Sequence, residues 1–172
     1  MFLLSNRTTG ELIGEISRGD FTVIQEILEE ESESDVDYYI QETALELLSQ
    51  AGLSPDGTLL LTKALGDHAD LEFGWEQPLQ SNTGFSGVIT TEGGSRPAPG
   101  LVIEARWENE RFWTFTRQNG TFELALPDQS RGYLVRIVAL GDREAWADHL
   151  EIEANERTRL GELNLEVLVE QN

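Results

Sequence analysis

The chain has 172 residues, 39% of them hydrophobic, and its formal net charge at pH 7 is −20. This hydrophobic fraction is enough for a packed core and is higher than disordered chains carry. The strong negative charge disfavours nucleic acid and anionic membranes as partners, because both are also negative. The chain has no cysteine, which excludes disulfides, thiol catalysis and cysteine-ligated zinc.

The sequence also bears on location. No apolar run approaches the roughly 18 residues that a membrane-spanning helix requires, so no membrane insertion is expected. The first residues contain only a short apolar stretch without a basic region, which does not resemble a signal peptide. These observations slightly favour a cytoplasmic location, although they leave the compartment open.

The first part of the chain predicts a small acidic α+β domain over residues 1–78. Apolar runs on both sides of a polar stretch that ends at Gly10 predict a hairpin. Helical spacing predicts three helices after it: one capped by Asp20, one over residues 42–51, and one that begins at Ser54 and its following proline. A short alternating run then predicts a closing strand.

A polar linker is expected over residues 79–83, and the sequence pattern changes after it. Short alternating runs recur about every ten residues, separated by Gly, Pro and Asn. This spacing predicts a seven-stranded β-sandwich over residues 84–172, so the expected fold class of the whole chain is α+β. The predicted strands span residues 85–91, 101–108, 111–117, 121–126, 132–140, 146–153 and 158–169.

Four motifs within these runs resemble those of a known family. They are Gly87-Val88-Ile89-Thr90-Thr91, Pro97-Ala98-Pro99-Gly100-Leu101-Val102-Ile103, Thr116-Arg117-Gln118-Asn119-Gly120-Thr121-Phe122-Glu123-Leu124 and Gly132-Tyr133-Leu134-Val135. In this order they resemble the carboxypeptidase regulatory-like, or transthyretin-like (prealbumin-like), domain over residues 84–170. The resemblance implies a Greek-key sandwich that usually serves as a non-catalytic module of enzymes, receptors or surface proteins. The first part of the chain shows no such resemblance.

The resemblance supplies no catalytic residue. Hydrolases of the transthyretin type have a histidine-rich cleft and end in Tyr-Arg-Gly-Ser, whereas this chain has two histidines, His68 and His149, and ends differently. Sandwich domains that form internal isopeptide bonds need a buried lysine, and the single lysine, Lys63, precedes the sandwich. We therefore expect no enzyme, no catalytic residue and no cofactor-binding residue.

Two polar segments are candidates for a metal site. The first consists of Glu31, Glu33, Asp35 and Asp37, and the second of Asp67, His68 and Asp70. Carboxylate oxygens suit calcium, but the first segment lacks the spacing of a helix–loop–helix calcium loop. Solvated loops explain both segments more simply, so no metal is expected, with calcium as the alternative.

Two aromatic residues, Phe112 and Trp146, are candidates for contact with a ligand or partner. If Trp113 and Phe115 face the core, alternation along the strand points Phe112 outward, and Trp146 begins a strand near a loop. Exposed aromatic rings stack on sugars or anchor proteins. The alternative is that the front unit covers this outer face, which the apolar Leu134 also suggests.

These observations predict a non-catalytic protein-interaction or scaffolding protein. A protein partner is expected. A carbohydrate-binding module that uses exposed aromatic rings and a calcium-dependent binding module are the alternatives.

Overall fold

The computed structural model describes residues 1–28, 36–91, 94–138 and 144–164. The chain divides into two units, Met1–Gln77 and Pro78–Asn172, and each has a hydrophobic core of its own. Within the described ranges, no helix is long and apolar enough to cross a membrane.

The first unit combines one sheet with three helices. The strands are β1 (Phe2–Asn6), β2 (Leu12–Ile16), β3 (Asp37–Gln41) and β4 (Asp70–Glu76), and the helices are α1 (Arg18–Ile27), α2 (Glu42–Gln50) and α3 (Pro55–Leu65). The sheet is antiparallel with the order β2-β1-β4-β3. Leu4 and Phe73 of the sheet and Ile24 of α1 are fully buried in the core. Among the described residues, this unit thus contains a hairpin, three helices and a closing strand.

The start of α1 differs from the prediction. Ser17, and not Asp20, is the N-cap residue, because its hydroxyl oxygen accepts the backbone N–H of Asp20 at 3.0 Å. Asp20 lies in the first turn, and its carboxylate accepts the backbone N–H and the hydroxyl of Ser54 at 2.8 and 3.0 Å. Since Ser54 is the N-cap of α3, one carboxylate joins the N-termini of two helices.

The second unit consists of two sheets. Its strands are β5 (Gly84–Thr91), β6 (Arg96–Pro97), β7 (Val102–Trp107), β8 (Glu110–Phe115), β9 (Thr121–Ala125), β10 (Arg131–Val138), β11 (Glu144–Ile152) and β12 (Arg157–Asn164). The first sheet has the order β11-β10-β7-β8, and all its strands are antiparallel. In the second sheet β5 pairs with β12, β9 and β6, and the pairing with β12 is parallel.

Each of the seven predicted runs overlaps one of these strands, whereas the two-residue β6 was not predicted. Side chains from both sheets form one core. Ile103 and Ala105 of β7 and Phe122 and Leu124 of β9 are buried in it. The predicted extensions of the strands to residues 140 and 169 lie outside the described residues.

Two motif residues, Thr116 and Gly120, have clear structural roles. The Thr116 hydroxyl donates to the Ala98 carbonyl at 2.7 Å and accepts the Leu101 N–H at 2.9 Å, which ties the segment before β7 to the end of β8. Gly120 has a φ of +75°, and a Cβ atom at this position would lie 2.3 Å from the carbonyl oxygen of Ile89. The motif therefore requires glycine for both the backbone conformation and the close approach.

Candidate functional site

The first predicted metal segment is largely outside the described residues. Glu31, Glu33 and Asp35 lie there, and only Asp37, at the start of β3, is described. Its carboxylate accepts a hydrogen bond from Arg7 Nε at 2.9 Å, and the Arg7 side chain is only 3% exposed. The Asp37 carboxylate therefore takes part in an ion pair within the first unit.

The second predicted metal segment follows α3. Asp67, His68 and Asp70 are all exposed, and the His68 N–H donates to the Leu65 carbonyl at 3.0 Å in the turn that ends the helix. Across the described part of the chain, no three Asp, Glu or His side chains lie close enough together to hold a metal ion. These three candidates are therefore not gathered into a site.

The predicted outward orientation of Phe112 is wrong. In the pairing of β8 with β7, Phe112 lies opposite Ala105, and Trp113 lies opposite Glu104. Directly opposed residues of an antiparallel pair project from the same face, so Phe112 points into the core and Trp113 points away from it. The Phe112 ring makes an edge contact with the Tyr133 ring, with the centroids 6.3 Å apart.

The other candidate, Trp146, lies opposite Ile137 and is half-buried against the core. Neither candidate ring is therefore fully exposed. Alternation could not assign the faces of β8, because aromatic residues occur on both of them. Phe115, which the alternation had placed in the core, is buried on the outer face opposite Val102.

The outer face of the first sheet carries a buried carboxylate that was not predicted from the sequence. Glu104 is 1% exposed and accepts hydrogen bonds from Arg106 Nε, from Arg111 Nε and, at 3.1 Å, from Arg136 Nη1. Burial raises the pKa of Glu104, but the hydrogen bonds and charges of Arg106 and Arg111 outweigh it and hold the pKa below its ordinary value. The cluster links β7, β8 and β10, and only the strand register brings its members together.

The second sheet carries a groove of about 530 Å³ on its outer face, which we call the arginine groove. Ser86 and Val88 of the central strand β5 form its floor, Thr121 of β9 lies on one side, and β12 forms the other side. Adjacent strands are separated by roughly 4.8 Å, so the backbones of β9 and β12 are about 10 Å apart.

An irregularity in β12 shapes one side of the arginine groove. The register with β5 shifts between Arg159 and Glu162, and Gly161 within this segment has a φ of +78°. Such a bulge bends a strand and redirects its side chains. Because Gly161 has no side chain, the groove is open at this point.

Arginine side chains flank the groove on both sides. Arg117, in the turn before β9, lies on one side and Arg159 on the other. Arg159 is exposed and has no ionic partner among the described residues. Glu123, also at the groove, pairs with Arg157 at 3.3 Å instead. The described arrangement therefore leaves a guanidinium group open to an anion, and guanidinium groups bind carboxylates well.

The sequence contained part of the signal for this groove. Arg157 precedes the predicted strand over residues 158–169 by one residue, and the observed β12 includes both Arg157 and Arg159, whose side chains therefore share a face. Arg117 comes from a turn forty residues earlier, and only the pairing of β9 and β12 with the same central strand places it across from Arg159.

Comparisons with known proteins give partial structural similarities. No protein-family model and no curated protein matches the chain. Among solved structures, the Bacillus anthracis TIE protein is 19% identical with a TM-score of 0.37, over 58% of this chain and 22% of that chain. For Klebsiella pneumoniae 5-hydroxyisourate hydrolase the identity is 13% and the TM-score 0.35, over 52% of this chain and 91% of that one.

A 9R-lipoxygenase from Cyanothece is 13% identical with a TM-score of 0.31, over 51% of this chain and 17% of that one. The match thus spans about a fifth of the TIE protein and less of the lipoxygenase. The scores of these matches are too low to transfer an activity or a partner.

Proposed function

We propose that this protein is a non-catalytic protein-interaction module built on a Greek-key, transthyretin-like sandwich, and that its arginine groove binds an acidic segment of a protein partner. The observation that carries the proposal is the position of Arg159, which is exposed and has no ionic partner within the described ranges, across from Arg117. The resemblance of the four motifs to a family of non-catalytic modules supports the same function.

The overall charge of −20 opposes an acidic partner, but this repulsion and the proposed attraction act over different distances. At physiological ionic strength the Debye length is about 8 Å. A carboxylate in contact with Arg159 lies well within this distance, whereas most acidic side chains of the chain are screened. The total charge should therefore slow association more than it weakens the bound state.

The two alternatives have less support from the described residues. A carbohydrate module needs exposed aromatic rings, yet Phe112 and Trp146 pack against the core and the groove residue Phe122 is 2% exposed. For calcium binding, Asp37 is the only described residue of the first predicted metal segment, and it pairs with Arg7.

We also propose that the protein is not an enzyme. The chain has no cysteine, and its two histidines, His68 and His149, belong to different units. A general base commonly needs a nucleophile or an orienting partner within hydrogen-bond distance. No hydrogen bond joins either histidine side chain to such a group in the described part of the structure.

A peptide-display selection tests the proposed function. A random peptide library is selected against the full chain, and the enriched peptides are measured against Arg159→Glu and against Arg18→Glu, a control with the same charge change in the first unit. We expect enrichment in Asp and Glu, a loss of affinity of about tenfold or more with Arg159→Glu, and no loss with the control. Enrichment without acidic residues, or equal loss with both variants, would refute the proposal.

A further inference from the structure

We infer that the backbone of the acidic segment pairs as an additional β-strand with the open edge of β12, and that its acidic side chain meets Arg159 at the border of the arginine groove. This inference rests on the function proposed above. The strand lies at the end of the second sheet, and among the described residues no strand pairs with its other side. Unpaired N–H and C=O groups at such an edge are a template for strand addition.

The register identifies the backbone groups at this edge. Gly84 lies opposite Arg157, and its N–H donates to the Glu156 carbonyl at 3.2 Å. In a parallel ladder, a residue of one strand bonds to the two residues that flank its counterpart. Glu156 and Thr158 therefore direct their bonding groups toward β5, while the N–H and C=O groups of Arg157 and Arg159 point to the open edge.

The side chains of β12 define what an added strand should contain. Arg159 is on the outer face, where a cross-strand neighbour has its Cβ atom roughly 5 Å away. Arg157 already bonds to Glu123 and to the Ser81 carbonyl, so Arg159 is the residue available for recognition. The next residue, Leu160, packs against the core on the opposite face. A matching strand thus alternates an acidic residue with apolar ones.

One of the two edge strands of the first sheet, β11, lacks these properties. The N–H of His149 donates to the Asp148 side chain at 2.8 Å, so this edge donor is already satisfied. Asp148 and Glu151 of β11 are exposed and no arginine of that strand offsets them, whereas β12 carries Arg157 and Arg159 beside one exposed acidic residue, Glu162. The bulge beyond Arg159 limits regular pairing on β12 to a short stretch, which also restricts uncontrolled edge-to-edge association.

Backbone N-methylation of the enriched peptides tests this binding mode. Methylation removes one N–H and obstructs strand pairing at that residue, but it leaves every side chain in place. Peptides methylated at successive single positions are titrated against the full chain by isothermal calorimetry. We expect a loss of about tenfold or more at alternate positions, those that face β12, and little change at the positions between them.

The other outcomes discriminate between the two proposals. If methylation is tolerated at every position and Arg159→Glu still abolishes binding, strand addition is wrong and the groove function stands. If no acidic peptide binds, both are wrong. Sedimentation is the second measurement: self-association that Arg159→Glu abolishes would identify a second copy as the occupant and overturn the inference.

Discussion

At the level of single residues, Glu104 shows how a charged side chain can be buried on the face of a sheet. A carboxylate that is 1% exposed loses its hydration, and the three guanidinium groups of Arg106, Arg111 and Arg136 compensate for that loss. The three arginine side chains remain partly exposed, so their positive charges stay partly hydrated. Its members come from three strands and stabilise their register.

We predict that Glu104→Gln lowers the free energy of unfolding by about 3 kcal/mol, the lower end of the range for breaking a buried ion pair, because the arginines still reach water. The pKa of Glu104 is lowered by folding, so its contribution is present above the ordinary glutamate pKa of about 4.3. It disappears as the pH falls through the lower folded-state pKa.

Urea denaturation at pH 7 and at pH 3 measures this effect. Glu151→Gln, a change at an exposed position of β11, is the matched control and should alter stability by less than about 0.5 kcal/mol. Equal effects of the two substitutions at pH 7 would contradict the role given to Glu104.

Tyr133 is a second residue with a buried polar group. Its ring is fully buried, its hydroxyl has no hydrogen-bond partner among the described residues, and burial raises its pKa. Tyr133→Phe removes the desolvated hydroxyl and should increase the free energy of unfolding by about 1 kcal/mol. Thermal denaturation compares it with Tyr39→Phe, an exposed control. A clear loss of stability in Tyr133→Phe would show that the hydroxyl is hydrogen-bonded in the protein.

At the level of elements, Asp20 couples α1 to α3. Burial alone raises its pKa, but hydrogen bonds from Ser54 and Ser17 outweigh it, and the net pKa is lowered. We predict that Asp20→Ala lowers the free energy of unfolding by about 1 kcal/mol at neutral pH, the size of one or two net hydrogen bonds. The difference from the wild type should vanish as the pH falls from about 4 through the folded-state pKa.

A pH series of denaturation curves checks this prediction, with Asp67→Ala as the control in an exposed turn. A destabilisation that persists unchanged at pH 2 would show that the effect does not come from the carboxylate.

The sequence predicted where strands and helices lie along the chain better than it predicted which strands pair and which side chains face the core. Alternation located the strands of the second unit because each has one apolar face toward the core. It failed for β8, where Phe112 and Phe115 lie on opposite faces and both are shielded from solvent to some degree. The predicted N-cap of α1 was also wrong, because Ser17 and Asp20 are both residue types whose side chains accept helix N–H groups. The parallel pairing of β5 with β12 depends on distant residues, which local patterns do not encode.

At the level of the whole molecule, acidic side chains greatly outnumber basic ones. The chain has 12 basic side chains against 32 acidic ones, and only one basic residue, Lys63, is not an arginine. The described structure assigns several arginines to ion pairs, such as Arg106 with Glu104 and Arg157 with Glu123. Arg159 differs from these because it borders a groove and has no ion pair with another described residue. The candidate site thus depends on topology more than on any motif.

A charge exchange between Arg159 and the peptide tests the central claim most directly. Calorimetry measures the wild type and Arg159→Glu, each with an enriched acidic peptide and with the same peptide carrying Lys in place of its acidic residue. We predict that each single change weakens binding about tenfold or more, and that the two changes combined restore most of the affinity. If the lysine peptide binds Arg159→Glu no better than it binds the wild type, the arginine groove does not recognise the acidic side chain.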